Sequence, residues 1–433
     1  MIRTGQPSAP HRGAAATRPY DVQVRQADAL RRSGRTDDAV KAFHAITLQY
    51  PQRADAFSNL AAMLQAAGHP QHALQAVTHA IELDPTNVAT LRNSAEILKD
   101  FGEWQAVRDT YDAALSLAPN DATLRFARAL HLLTLGDWQE GWRDHEQRWL
   151  VPDLPLATTR LTTPHWDGSP LEGRRILLDH EQGLGDQIMC ARFVRDVAAR
   201  GGRVTLRCGA PLAPLFRAID GVEAIVVDGD PIPTHDVRAS LMSLPFLLGV
   251  HSPAALSGAP YLAPVGDCPA VIRDAITRAG RRVGLVWAGN PHHRNDARRS
   301  VPASMLAPLL TLPGTQFITL QRHERHATSP QAFSGLVTDL GAHLHTLDDT
   351  AHALRLLDLL VTVDTSVAHL AGALGVPTLL MIPFVPDWRW MLERTDTPWY
   401  RSVRLIRQTT LFDWTTVIAT VREHIAAHSK AAP

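Results

Sequence analysis

Residues 359–384 read LLVTVDTSVAHLAGALGVPTLLMIPF, and the fold follows from this stretch. The apolar run at its start ends in Asp364, Thr365 and Ser366. From about Val367 to Leu374 the residues are small and mostly apolar, which fits a packed helix. Gly375 and Pro377 break that helix, and a second apolar run begins. The order is strand, tight turn, helix, strand. The turn therefore sits at the carboxyl end of a buried strand, the place where open α/β sheets bind ligands. Hydroxyls beside the first N–H groups of a helix suit a phosphate.

The chain has 433 residues, enough for two to four domains. Its 43 basic and 43 acidic residues balance, which argues against a general binder of nucleic acid or anionic membranes. Cys190, Cys208 and Cys268 are far apart, with no metal-ligand spacing and no disulfide framework. A reducing cytoplasm is the expected compartment. The N-terminus lacks the apolar core of a signal peptide. No apolar run approaches the ~18 residues of a membrane span. Residues 1–19 are expected to be disordered.

Outward from the opening stretch, the first third of the chain is periodic. Glycine recurs at Gly34, Gly68, Gly102 and Gly136, alanine at Ala27, Ala61, Ala95 and Ala129, and leucine at Leu30, Leu64, Leu98 and Leu132, always 34 residues apart. Pro51, Pro85 and Pro119 close three of the units. The pattern predicts a helix, a turn at the glycine, a second helix and a stop at the proline. It resembles the tetratricopeptide repeat over residues 20–155. The fourth unit loses its proline and carries Trp138, Trp142 and Trp149, which suit docking onto another domain. Asn59 and Asn93 occupy matching positions, on the inner helix in that family. They are candidates to hold a peptide backbone. The alternative is that both are consensus residues facing water.

After a linker, RRILLDHEQGLGDQIMCARFVRDVAARGGRVTLRC reads as strand, glycine loop, helix, strand. A proline-rich stretch from about Ser252 to Pro269 separates this half from a second, which starts at RRVGLVWAG. The expected domains are residues 156–270 and 271–425, both Rossmann-like, with a tail at 426–433. Facing halves of this kind leave a cleft between them.

Three motifs carry chemistry. In Glu181–Gln187, Gly183 and Gly185 let the backbone approach a ligand. Asp186 opens the next helix, where it serves catalysis or simply caps the helix. The third glycine of a dinucleotide fingerprint is missing, because position 188 is Ile. The second motif runs from Trp287–Asn290 through Arg294, Arg298, Arg299, Ser300, Val301 and Pro302. Its arginines suit a diphosphate, although a solvated basic loop looks the same. Asp364-Thr365-Ser366 is the third. His292–His293 and His323–His326 lack the spacing of a zinc protease. Trp388, Trp390, Trp399 and Tyr400 fit either stacking on a base or sugar, or interdomain packing.

Together, GLGD, the arginine loop ending in R-S-V-P, and VDTSVAHLAGALG resemble the bacterial heptosyltransferase-like glycosyltransferases of family 9, with the GT-B fold, over residues 174–425. The segment PDWRWMLERTDTPWY resembles the version of this domain joined to tetratricopeptide repeats. The plan is similar to that of the O-GlcNAc transferases. The resemblance implies Asp186 as general base on the acceptor side. It places Arg299 where the family has a phosphate-binding lysine. It makes Asp364, Thr365 and Ser366 the donor-contacting turn, with His369 one helical turn further on. Gln321, at a strand end, is a further candidate to face the donor. Lysine has become arginine and Asp-Thr-Gly has become Asp-Thr-Ser, so the identity of the sugar does not carry over.

The implied reaction is an inverting transfer from a nucleotide-diphosphate sugar, with no metal and no cofactor. The expected acceptor is a protein held by the repeats. A glycan or lipopolysaccharide-core acceptor is the second reading. A repeat scaffold without catalysis is the third.

Overall fold

The computed structural model describes residues 19–429 apart from 153, 155, 157–160, 277–279, 294, 323–332 and 334. Nearly all of the segment expected to be disordered (1–19), Arg294, His323, His326 and the end of the 426–433 tail lie outside the described residues.

The period of 34 becomes four helix pairs: α1 (Pro19–Arg32) with α2 (Thr36–Gln49), α3 (Ala54–Ala66) with α4 (Pro70–Leu83), α5 (Val88–Lys99) with α6 (Trp104–Leu117), and α7 (Ala122–Leu135) with α8 (Trp138–His145). Each pair turns on its periodic glycine. Gly34, Gly68, Gly102 and Gly136 have φ of 75, 80, 72 and 88°, a left-handed conformation that a Cβ opposes. The periodic alanines are fully buried, so the helices pack closely at those points.

The chain divides at Asn120 into two compact units. The first holds three helix pairs. Tyr20, Phe43, Ile46, Leu60 and Met63 form one core within it, and Ala61, Ala73, Val77 and Ile97 a second. The second unit begins at Asp121 and takes the fourth pair with it. The reason is aromatic. Trp138 stacks on Trp399 at 5.3 Å and Trp142 meets Trp388 edge-on at 5.2 Å. Burying such rings removes a large apolar area from water. The tryptophans thus tie the last repeat to the α/β part.

That part contains two parallel sheets. The first has β1 (Arg175–Asp179), β2 (Arg203–Cys208), β3 (Val222–Val227) and β4 (Val237–Ser240), in the order β3-β2-β1-β4. The second has β5 (Arg281–Val286), β6 (Thr315–Thr319), β7 (Thr338–Asp339), β8 (Leu359–Val363), β9 (Thr378–Ile382) and β10 (Val403–Arg407), in the order β10-β9-β8-β5-β6-β7. Every residue of β8 and β9 is buried, as a parallel strand covered on both faces requires. The link between the halves is pinned where Tyr261 and Leu262 donate N–H bonds of 2.9 and 3.1 Å to the carbonyl of Ala373.

The strand orders reverse beside β1 and beside β5. From β1 the chain moves to β2 and β3, then returns to the other side for β4. From β5 it moves to β6 and β7, then returns for β8. Such reversals open a crevice at the carboxyl ends of the strands. The loops after β1, β5 and β8 carry the three motifs.

Candidate active site

Two helix starts meet at these crevices. One belongs to α9 (Leu184–Ala191), after β1, and the other to the helix Ser366–Leu374, after β8. A Cβ on Gly185 would lie 2.8 Å from Cδ2 of His369. The bare glycine therefore makes room for a ring from the opposite half. Gly183 holds the N-cap position of α9, with φ −64° and ψ 172°. Asp186 is the third helical residue, so the N-cap position is not its own. Its Oδ1 accepts a bond from Nη2 of Arg389, and among the described residues its Oδ2 has no hydrogen-bond partner.

Arg389 did not stand out in the sequence. It sits between two tryptophans in PDWRWMLERTDTPWY, and only that unusual setting for a cation marked it. The residue is 8 % exposed. Its Nη1 donates to Asp387 at 2.6 Å, and its guanidinium lies 4.3 Å from the centre of the Trp388 ring. Its Nε is buried with no partner. One planar cation thus spans a carboxylate from each half.

Close to it in the fold is the turn that follows β8. Thr365 is the N-cap residue of its helix, in an extended conformation and without a capping bond. Its Oγ1 is buried and unpartnered. Ser366 is the first helical residue and is partly exposed. Helix starts of this kind leave N–H groups free for an anion. Burial, and then the charge of Asp387, push the Asp364 carboxyl up to about 6, with Arg389 and Arg299 opposing. Arg299 ends the short helix Asp296–Arg299 in the loop after β5. Its Nε reaches Asp296 at 3.3 Å. Its guanidinium packs over Gly289, where a Cβ would come within 2.5 Å of Nη2.

Other expected contacts resolve differently. His369 is 3 % exposed, stacks on Trp390 at 5.2 Å and bonds to the Tyr400 hydroxyl at 2.9 Å. Burial, then the charges of Arg389, Arg192 and Arg299, hold its imidazole well below the usual histidine range. It packs between the halves, 3.9 Å from Asp364. Gln321 is buried, and its Oε1 accepts N–H bonds from Trp287 at 3.2 Å and Ala288 at 3.1 Å. That oxygen fixes the root of the arginine loop. Trp390, Trp399 and Tyr400 are fully buried and Trp388 nearly so. They pack the interface and do not offer a stacking surface. In the first unit, Asn93 donates to the Ser58 hydroxyl at 3.0 Å and braces neighbouring repeats. Asn59 is half-buried.

Glu181, at the head of the glycine loop, belongs to a buried network that the sequence did not reveal. Arg148, fully buried just after α8, donates to Glu181 at 2.8 Å, to Glu146 at 2.6 Å and to Ser243 at 2.7 Å. The Ser240 hydroxyl donates to the other Glu181 oxygen. The last repeat thereby anchors the strand end that leads to Asp186. Among the described residues no three His, Cys, Asp or Glu side chains converge as a metal site. Nor is any helix among them long and apolar enough to cross a membrane.

Comparison with known proteins adds four findings. Residues 24–88 match the tetratricopeptide repeat family. The chain is 28 % identical over 417 residues to Protein FlbA of Caulobacter vibrioides, covering 89 % of this chain and 70 % of that protein. Among solved structures, the glycosyl transferase family 9 protein of Veillonella parvula aligns over 62 % of this chain and 100 % of its own, at 12 % identity and a TM-score of 0.46. The Yersinia enterocolitica type III secretion translocator chaperone SycD aligns over 23 % of this chain and 70 % of its own, at 24 % identity and a TM-score of 0.22.

Proposed function

We propose that this chain is a glycosyltransferase that moves a sugar from a nucleotide-diphosphate sugar to an acceptor hydroxyl, with inversion and without a metal. One observation carries the reading. The crevices of the two sheets meet, and they bring Asp186, a carboxylate bonded through one oxygen to Arg389, to a helix start bearing the unpartnered Thr365 hydroxyl. The first is a proton acceptor and the second an anion site.

The bond from the anomeric carbon to the phosphate oxygen breaks, and the bond from that carbon to the acceptor oxygen forms on the opposite face. The acceptor proton goes to Oδ2 of Asp186. The leaving diphosphate gains charge as it departs. Arg299, the Thr365 and Ser366 hydroxyls and the helix start stabilise that charge where it develops. Hydrogen bonds to ionised groups contribute about 1.5–3 kcal/mol each, which suits Arg299 to this task.

The repeats favour a protein or peptide acceptor, since solenoids of this kind present extended surfaces to peptides. The bonds from Asn93 to Ser58 use its amide nitrogen and not its carbonyl oxygen, so the asparagine pair stays part of this reading. A glycan acceptor is the second reading.

The test uses the purified chain with a panel of nucleotide sugars. A specific donor raises the melting temperature by mass action, and transfer or slow hydrolysis of that donor follows by mass spectrometry. Asp186→Ala is expected to lower transfer by about 10²–10⁴-fold, the range of a positioned base, while donor binding persists. Near-wild-type turnover in that variant removes Asp186 from the role of base.

A further inference from the structure

We propose that Arg389 is the positioning residue for Asp186: its guanidinium takes Oδ1 and thereby leaves Oδ2 as the oxygen that meets the acceptor. The inference rests on the glycosyltransferase reading and deepens it.

A carboxylate with both oxygens free rotates about its χ2 torsion, a broad two-fold well. Either oxygen then faces the acceptor for part of the time. Arg389 removes this freedom because it is itself immobile. Its face lies on Trp388, its Nη1 is held by Asp387 at 2.6 Å, and its own backbone N–H bonds to the same Asp387 oxygen at 3.1 Å. The second η nitrogen is left to point across the interface at Asp186. A planar fork fixes direction in a way that an ammonium does not.

Packing alone does not explain the residue. Its Nε is buried with no partner, a cost that native structures seldom carry away from functional sites. Burial of the guanidinium also takes two carboxylates, from different halves, to offset it. Such an arrangement holds geometry at the expense of stability.

The experiment compares the full chain with Arg389→Gln, Arg389→Lys, Asp186→Ala and the double variant Arg389→Gln/Asp186→Ala. Transfer is measured at varied donor concentration and donor affinity by calorimetry. Arg389→Gln is expected to lower kcat by about 10²-fold, the lower end of the range for losing a positioned base, with donor Kd within about 2-fold of wild type. Arg389→Lys is expected to recover roughly a tenth of wild-type kcat, since it restores charge but not the fork. In the Asp186→Ala background, Arg389→Gln is expected to add nothing, because groups acting through one another are not additive.

An unchanged kcat in Arg389→Gln overturns the inference. So does a weakened donor Kd at wild-type kcat, which makes Arg389 a phosphate ligand. A full further loss in the Asp186→Ala background also overturns it, because the role is then structural. If Arg389→Gln does not fold, Arg389→Lys carries the same cycle with the same signs. A wild-type chain that neither binds nor transfers any nucleotide sugar overturns the enzymatic reading together with the inference. A working wild type indifferent to Arg389 overturns the inference alone.

Discussion

Asp364 shares its turn with the two hydroxyls that are read as the phosphate side of the cleft, and its ionisation bears on what the turn holds. Above about pH 6 its carboxylate adds a negative charge beside the proposed diphosphate site. Protonation removes that repulsion, so the bound state favours the protonated carboxyl. Donor affinity is therefore expected to rise as pH falls through about 6. Asp364→Asn is expected to flatten the dependence. Calorimetric titration between pH 5 and 8 checks both, and an affinity independent of pH in the wild type counts against this role. Asp364, Thr365 and Ser366 were legible as residues because they form a short polar break between apolar runs. Arg389 was not, because its meaning depends on Asp186, which lies 203 positions away in the chain.

At the scale of elements, the helix Ser366–Leu374 is small-residued for a physical reason. A Cβ on Gly372 would lie 2.3 Å from the Tyr400 ring, so the helix seats on that ring only where the side chain is missing. Gly372→Ala is expected to destabilise the second unit by about 1–3 kcal/mol, the usual range for overpacking a closed core. Denaturant unfolding followed by tryptophan fluorescence reads this directly. An unaltered midpoint shows instead that Tyr400 can retreat. The strands β8 and β9 were evident from the sequence as unbroken apolar runs. β4, at four residues, and β7, at two, are too short to show a period and were missed. Their pairing with β1 and β6 fixes them.

For the whole molecule, the fourth repeat is both the end of a sequence pattern and a part of the second unit. Arg148 shows how the two roles join. It is fully buried, and its partners Glu181 and Ser243 belong to the first α/β half. Arg148→Met leaves Glu181 buried without its cation. Removing one member of a buried pair typically costs about 3–5 kcal/mol, so a loss of that order is expected in chemical unfolding. Protease digestion of the variant should also release the glycine loop. Wild-type stability in Arg148→Met means that the loop is held by other contacts.

By itself the sequence determined the local chemistry and the order of the elements. Glycines that needed a positive φ, alanines that needed no bulk, apolar runs that needed two covered faces and the hydroxyl turn all announced themselves, because each requirement is satisfied within a few neighbouring residues. The resemblance to two families rests on the same local signals. Only the tertiary structure decided which distant groups share a site. It set His369 into the gap of Gly185 and drew Gln321 into the root of a loop. It moved the last helix pair into the second unit through its tryptophans, and it placed Arg389 between Asp186 and Asp387. Those outcomes depend on which surfaces of the folded chain meet, and complementary shape and charge across an interface leave no period in the sequence.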